Sequence, residues 1–232
     1  MVPQGAKEAL LCEFKPKTRN QANYIKTVCK NDITFCVGPA GCGKTAIAVG
    51  IAVQALYNNQ VQKIVIARPV VEASFKSMGA LPGDIREKLN PYVRPLYEEL
   101  IKYYGKLKLE KLIKEEFVDI CPLEMMRGRT FDNAVMILDE AQNALFEQLV
   151  MFTTRLGKNS KAIITGDLRQ SDLPYQYLGG LDKFLEILVK YQVGGTAIVE
   201  LDKSDNQRHP TVQNIIGALE NYHDERIKTS GN

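Results

Sequence analysis

One segment of the chain combines glycines, a lysine and a threonine at a spacing that suits phosphate binding. It matches the pattern G-x-x-x-x-G-K-[ST], in which backbone N–H groups close around phosphate oxygens and the positive end of a helix dipole lies behind them. The residues of this loop are Gly38, Pro39, Ala40, Gly41, Cys42, Gly43, Lys44 and Thr45. The pattern predicts that Lys44 reaches the β- and γ-phosphates of a nucleotide and that the Thr45 hydroxyl binds Mg²⁺.

The sequence on either side of this loop distinguishes between two interpretations: a phosphate-binding loop, and a glycine turn that merely exposes a lysine. The β-branched run ITFCV at 33–37 precedes the loop and predicts a strand, and the apolar segment AIAVGIAVQAL at 46–56 follows it and predicts a helix. Strand, loop and helix in this order are the context in which the motif binds phosphate. We therefore interpret 38–45 as a nucleotide-binding loop.

Two adjacent carboxylates, Asp139 and Glu140, follow the apolar run AVMIL at 134–138. A carboxylate at the carboxyl end of a buried parallel strand falls in the crevice where open α/β sheets bind ligands. We predict that Asp139 holds Mg²⁺, directly or through water, and that Glu140 acts as the general base for an attacking water. The alternative is that the pair caps the N-terminus of the next helix.

Two glutamines are further candidates. Gln170 closes the segment GDLRQ after the run KAIIT at 161–165, so a third strand delivers polar groups to the same edge of the sheet. We interpret Gln170 as a group that orients water or senses the γ-phosphate, against the alternative of a turn that leads into a helix. Gln21 lies upstream of the loop, and its amide offers the donor and the acceptor that suit the edge of adenine. Its alternative is a solvated surface side chain.

Three arginines are candidates for contacts with a nucleic-acid backbone. Arg68 ends the run KIVIA at 63–67, and Arg127 and Arg129 precede the run AVMIL. Guanidinium groups at these positions would bind phosphates without sequence preference and with a salt-dependent affinity. Ion pairs with surface carboxylates are the equally weighted alternative.

The elements that must position these residues alternate along the chain. Strands are predicted at 33–37, 63–67, 117–120, 134–138, 161–165 and 197–201. Helices are predicted at 44–57, over much of 84–116, and at 145–156, 181–191 and 210–222. Prolines 91 and 95 divide one of these regions, so two helices are expected there, at 85–89 and 96–104. The alternation predicts an α/β fold in which a mostly parallel sheet is flanked by helices.

Composition limits the classes of protein that fit. The 232 residues carry a net charge of only +3, so any basic surface is local. The five cysteines include no C-x-x-C pair, which argues against a disulfide framework or a zinc site and favours a reduced, cytoplasmic compartment. We see neither a signal peptide nor a membrane span. A single domain over 1–232 is expected, with a helical insertion at about 75–116 and a frayed tail at about 223–232.

These segments together resemble the PhoH-like family of P-loop ATPases, which is related to the RecA-like domain of superfamily one helicases. The resemblance covers roughly 14–222. It rests on GPAGCGKT, IARPV, LPGDIREKLNPYVRPLYEEL, MRGRTFDNAVMILDEAQN, TGDLRQSDLP and the pair Arg208-His209. The sequence departs from the family at Phe75-Lys76-Ser77, where Gly-Glu is common. No role is therefore given to that loop.

The resemblance implies a RecA-like fold, ATP hydrolysis with Mg²⁺ and an adenine contact by Gln21. It also implies that Arg208 faces the γ-phosphate bound by a neighbouring subunit, and it links the chain to RNA or DNA unwinding. Because the chain has residues for one RecA-like lobe, a homo-oligomeric ring is expected, with a hexamer as one candidate size.

The leading hypothesis from sequence is an ATPase coupled to single-stranded RNA or DNA. A P-loop kinase that acts on a small substrate is one rival. A nucleotide-sensing interaction module with little catalysis is the other. Glu140 and Gln170 favour water as the phosphoryl acceptor over the kinase, without deciding between them.

Overall fold

Six parallel strands form the sheet at the centre of the molecule. The computed structural model describes residues 10, 15–70, 85–173 and 178–218. The strands are β1 (Ile33–Val37), β2 (Lys63–Arg68), β3 (Val118–Pro122), β4 (Ala134–Leu138), β5 (Lys161–Gly166) and β6 (Thr196–Glu200). Their order across the sheet is β3-β2-β4-β5-β1-β6, and each neighbouring pair is parallel.

Helices cover both faces of this sheet. They are α1 (Arg19–Lys30), α2 (Lys44–Tyr57), α3 (Ile85–Tyr104), α4 (Lys106–Lys114), α5 (Phe146–Thr153) and α6 (Gly180–Lys190), followed by α7 over 210–218. Short 3₁₀ turns occupy Leu123–Met126, Ala141–Asn143 and Lys203–Asp205. The chain therefore folds as the predicted helix-flanked parallel sheet.

The strand residues alternate between two buried clusters, one on each face. Ile64 and Ile66 of β2 join the cluster that includes α1, α2 and α3, whereas Val65 and Ala67 join the cluster under α5 and α6. All five residues of β4 are buried. Strands covered on both faces read as continuous apolar runs, which is why these segments show no polar alternation.

The sheet order brings three of the predicted motifs to one edge. β4, β5 and β1 are consecutive in the sheet, so the segments that follow their carboxyl ends are neighbours. Those segments are the glycine loop, the Asp139-Glu140 pair and the loop that begins at Gly166. Parallel pairing thus assembles the candidate site from parts that are more than 120 residues apart in sequence.

The prediction of two helices at 85–89 and 96–104 is wrong, because α3 runs unbroken through Pro91 and Pro95. Each proline removes one backbone donor from the helix. Burial of Leu96 and Leu100 against the sheet and α2 compensates for these losses. Tertiary packing has therefore overridden a local helix-breaking signal.

Helix α1 was missed by the sequence analysis. Its N-cap is Thr18, whose hydroxyl accepts a hydrogen bond from the Gln21 backbone N–H. The pattern Thr-x-x-Gln at 18–21 is a capping-box signature that signals such a helix start.

Some expectations fall outside the described residues, namely the loop Phe75-Lys76-Ser77 and the tail at 223–232. Helices α3 and α4 occupy much of the expected insertion. Within the described ranges no helix is long and apolar enough to cross a membrane. Four cysteines are free thiols there: Cys29, Cys36, Cys42 and Cys121.

Candidate functional site

The glycine loop connects β1 to α2 through a backbone path that only glycine permits. Gly38, Gly41 and Gly43 all have positive φ, at 152°, 90° and 83°. A Cβ on Gly38 would lie 2.3 Å from the Leu201 carbonyl oxygen, so any side chain there would collide with fixed backbone. The loop is also tied to β5, because the Gly38 N–H donates to the Gly166 carbonyl at 3.2 Å.

Lys44 is the first residue of α2, and its side chain folds back over the loop. Its Nζ donates to the carbonyl oxygens of Gly38 at 2.6 Å and Pro39 at 2.8 Å. The ammonium group and the N-terminal end of the helix dipole therefore occupy the same small region. This concentration of positive potential is what a bound polyphosphate needs.

Thr45 and Asp139 form an oxygen-rich pair beside the loop. The Thr45 hydroxyl donates to Asp139 Oδ1 at 2.5 Å, and the Thr165 hydroxyl donates to the same oxygen at 2.7 Å. Asp139 is only 4% exposed. Among the residues that the structure describes, no group of three or more His, Cys, Asp or Glu side chains gathers as a metal cage. One hydroxyl and one carboxylate suit Mg²⁺, which is usually bound by few protein oxygens together with waters and substrate phosphates.

Glu140 lies beside this pair in an unusual backbone conformation. Its φ of 54° and ψ of 44° are left-handed, which sets the direction of its side chain before the turn Ala141–Asn143. Gln142 donates from Nε2 to Glu140 Oε2 at 2.6 Å and accepts the Asp167 N–H on Oε1 at 3.0 Å. The sequence analysis missed Gln142, although its place in the segment DEAQN, two residues after Glu140, marks it as a candidate.

These groups line one cavity of about 350 Å³. The predicted residues that line it are Ala40, Gly41, Gly43, Lys44, Thr45, Asp139, Glu140, Gln170 and Arg208. Thr165, Gln142 and Glu99 also line it and were not predicted. Glu99 comes from α3, so the helical insertion contributes directly to the site.

Arg208 lies against the glycine loop of its own chain. A Cβ on Gly41 would lie 2.9 Å from both Cγ and Cδ of Arg208, and the Gln207 N–H donates to the Gly41 carbonyl at 3.0 Å. Asn206 Oδ1 fixes the Arg208 backbone N–H at 2.9 Å. That Arg208 acts on a neighbouring subunit stays a prediction, but this geometry favours action within one chain.

Gln21 is placed behind the glycine loop rather than in the cavity. It is 3% exposed, its Nε2 donates to the Cys42 carbonyl at 3.1 Å, and its Oε1 accepts the Lys17 N–H at 2.8 Å. Both polar ends of the amide are thus occupied within the protein. The adenine contact stays a prediction. In the structure, Gln21 instead stabilises the glycine loop through its hydrogen bond to the Cys42 carbonyl.

A buried carboxylate, Asp205, joins the segments around the loop. It is fully buried and accepts hydrogen bonds from the Thr18 hydroxyl, the Asn20 amide and the Asp202 N–H. The Cys42 thiol donates to the Asp202 carbonyl at 3.0 Å, and burial raises the pKa of this thiol, which keeps it protonated. The start of α1, the glycine loop and the turn before Arg208 are therefore one hydrogen-bonded unit.

Comparison with known proteins identifies the family of the chain. The family model described as PhoH-like protein matches residues 13–220. The chain belongs to the PhoH family. It is 46% identical over 206 residues to a PhoH-like protein of Synechocystis and 48% identical over 207 residues to one of Bacillus subtilis, in each case across 89% of this chain. It spans 62% and 64% of the lengths of these two relatives.

A solved structure supports the fold alone. The large terminase from a thermophilic bacteriophage matches 85% of this chain and 49% of its own, with a TM-score of 0.51 and 14% identity. The resemblance to the PhoH-like family predicted from sequence is thus confirmed, together with the RecA-like fold.

The three arginines proposed for nucleic-acid contacts have different surroundings. Arg68 Nη2 lies 3.4 Å from Glu140 Oε1. Arg129 pairs with Asp119 and stacks on the Phe131 ring, 4.6 Å from its centroid. Arg127 is exposed and forms no ion pair within the described part of the chain. The ion-pair alternative therefore holds for two of the three, and Arg127 is the most available to a ligand.

Proposed function

We propose that the protein hydrolyses ATP with Mg²⁺ and couples hydrolysis to the binding of single-stranded RNA or DNA. The observation that carries the proposal is one cavity that holds Lys44, Thr45, Asp139 and Glu140 together. A lysine for phosphate, two oxygens for a cation and a second carboxylate for water are the parts that phosphoryl transfer to water requires.

Each residue has a distinct role in this proposal. Thr45 and Asp139 hold Mg²⁺, which when bound neutralises phosphate charge. Lys44 neutralises the charge on the β- and γ-phosphates in the ground state and in the transition state. Glu140 accepts a proton from water as the water oxygen attacks the γ-phosphorus, and ADP leaves with the bridging oxygen. Gln142 orients Glu140 through the hydrogen bond to Oε2.

The test compares Lys44→Ala with Glu140→Gln. We expect Lys44→Ala to lose binding of a fluorescent ATP analogue. Glu140→Gln should bind the analogue normally and release phosphate about 10² to 10⁴ times more slowly, the usual cost of losing a general base. Glu147→Gln removes an exposed carboxylate on α5 and is the matched control. Parental turnover in Glu140→Gln would refute the assignment of the base.

The nucleic-acid part of the proposal is supported by one arginine beside the nucleotide cavity and by a second that is exposed elsewhere on the surface. Arg68 ends β2 beside Glu140, and Arg127 is exposed before β4. Turnover of ATP should therefore rise when poly(U) or poly(dT) is added. No rise with either polymer, or phosphate transfer to a small acceptor in place of water, would favour the kinase alternative.

The same proposal includes a homo-oligomeric ring, with a hexamer as one candidate size, and a cytoplasmic location. The described residues build one RecA-like lobe. Movement along a nucleic-acid strand needs a second lobe, so that the two lobes can bind the nucleic acid in turn. Another copy of the chain is the economical source of that lobe. The buried free thiols Cys36 and Cys121 suit a reducing compartment. Light scattering of the purified protein measures the subunit number directly.

A further inference from the structure

The carboxylate of Glu140 is engaged on both of its oxygens by side chains of its own chain. Gln142 donates to Oε2 at 2.6 Å, and the guanidinium of Arg68 lies 3.4 Å from Oε1. A carboxylate oxygen that is paired with a guanidinium is a poor acceptor for a proton from water. The catalytic carboxylate is therefore restrained, and of its two partners only Arg68 carries a charge.

Arg68 is placed where a ligand outside the cavity can reach it. It is the last residue of β2, whose register with β4 pairs Ala67 with Leu138, so its position is next to the start of the Asp139-Glu140 pair. The Arg68 side chain is 25% exposed and the Glu140 side chain 37% exposed. The pair is thus accessible to water on the rim of the sheet rather than sealed in the core.

The Arg68–Glu140 pair is also looser than the Arg129–Asp119 pair, whose carboxylate lies near the start of β3. Arg129 makes a hydrogen-bonded contact with Asp119, and its guanidinium packs on the Phe131 ring. Arg68 has a longer separation from its carboxylate, at 3.4 Å. Partly exposed pairs at such a distance are weak, and a polymer with many phosphates can displace one of the partners.

We propose that Arg68 is a latch on Glu140, released when a phosphate of single-stranded nucleic acid takes the place of the Glu140 carboxylate. The proposal rests on the proposed function and gives it a regulation. Without nucleic acid, Arg68 holds Oε1 away from the attacking water. With nucleic acid bound, the guanidinium turns to the phosphate and Oε1 becomes free to accept the proton.

The proposal predicts that substitution of Arg68 raises ATP turnover, whereas substitution of an ordinary active-site arginine lowers it. Arg68→Gln removes the restraint, so turnover without nucleic acid should rise by about 5-fold or more, the lower end of usual coupling between sites. Further stimulation by poly(U) or poly(dT) should disappear. Arg68→Lys keeps the cation and should restore low unstimulated turnover. Arg94→Gln breaks an exposed pair with Glu98 on α3 and should change neither value. A fall in unstimulated turnover, or no change, would overturn the latch.

A second measurement does not depend on hydrolysis. Because two ligands that compete for one group affect each other reciprocally, Glu140→Gln should tighten binding of fluorescent poly(dT) or poly(U) in the absence of ATP. In the double variant Arg68→Gln/Glu140→Gln this tightening should vanish. The proposal would also be overturned if the parent and Glu140→Gln bound the polymers with equal affinity, or if neither polymer bound to the protein. If Glu140→Gln tightens polymer binding as expected but the protein has no measurable ATP turnover, only the ATPase function is refuted. Failure of the latch and failure of the proposed function are therefore distinguishable.

Discussion

The substitution Arg208→Ala tests whether one chain completes its own catalytic site. Arg208 lines the same cavity as Lys44 and Glu140, and its aliphatic stem packs on Gly41. If Arg208 neutralises charge that develops on the γ-phosphate, its loss should lower kcat. The KM for ATP should change little, because the interaction strengthens in the transition state.

The expected size follows from the exposure of the side chain. Arg208 is exposed, so an effective dielectric constant of about 20 applies, and two unit charges about 4 Å apart then interact by about 4 kcal/mol. Since about 1.4 kcal/mol corresponds to a factor of ten in rate, kcat should fall by about 10³. This is the lower end of the range of about 10³ to 10⁵ known for arginine fingers.

Mixing two inactive variants decides whether Arg208 acts on its own chain or on a neighbour. Lys44→Ala and Arg208→Ala are purified separately, mixed under conditions that exchange subunits, and assayed for phosphate release. A trans arginine would restore activity at interfaces that combine an intact Lys44 with an intact Arg208. We expect no recovery, because the geometry places Arg208 beside the Lys44 of the same chain.

Two results would refute this reasoning. Recovery of activity in the mixture would show that a neighbour supplies the arginine. A rise in KM with unchanged kcat would show that Arg208 only binds the nucleotide. Arg169→Ala is the matched control, because Arg169 is an exposed arginine after β5 that does not line the 350 Å³ cavity. The control should keep parental kcat.

Two further predictions concern stability and nucleic-acid binding. Asp205→Ala leaves three hydrogen-bond donors without their acceptor. The free energy of unfolding in urea should therefore fall by about 2–4 kcal/mol. An unchanged urea midpoint would show that the Asp205 hydrogen bonds do not stabilise the protein. Arg127→Ala should weaken binding of poly(U) and poly(dT) alike and lower the slope of affinity against salt by about one, whereas an unchanged slope would move the backbone contacts elsewhere.

The sequence alone was sufficient to predict the sheet and the motifs on it. β1 and β4 have the predicted bounds, and the other strands differ by one or two residues at one end or at both. Helix α2 also begins and ends as predicted, at Lys44 and Tyr57. Continuous apolar runs in a chain of alternating strands and helices leave few arrangements open, and a phosphate-loop motif fixes the end of the sheet that binds ligand.

Side-chain partners could not be predicted in the same way. The contact between Arg68 and Glu140 depends on β2 and β4 being neighbours in a defined register, and the sequence does not reveal strand order. Gln21 is buried at the start of α1, where the neighbouring Asn20 donates to Asp202, 182 residues away in sequence. Long-range packing thus decided which predicted polar groups face the cavity.

The carboxyl end of β5 explains how separate motifs acquire one geometry. Thr165 donates to the Asp139 carboxylate, the Gly166 carbonyl accepts the Gly38 N–H, and the Asp167 N–H donates to Gln142. Three successive residues thus contact the Asp139 carboxylate, the glycine loop and the Gln142 side chain that hydrogen-bonds to Glu140. Because β5 lies inside the sheet between β4 and β1, it is among the parts least able to move. The groups that the proposed phosphoryl transfer requires to stay fixed are therefore tied to a rigid strand. By contrast, Arg68, which the proposed latch requires to respond to a ligand, extends from the more accessible rim, with its side chain 25% exposed.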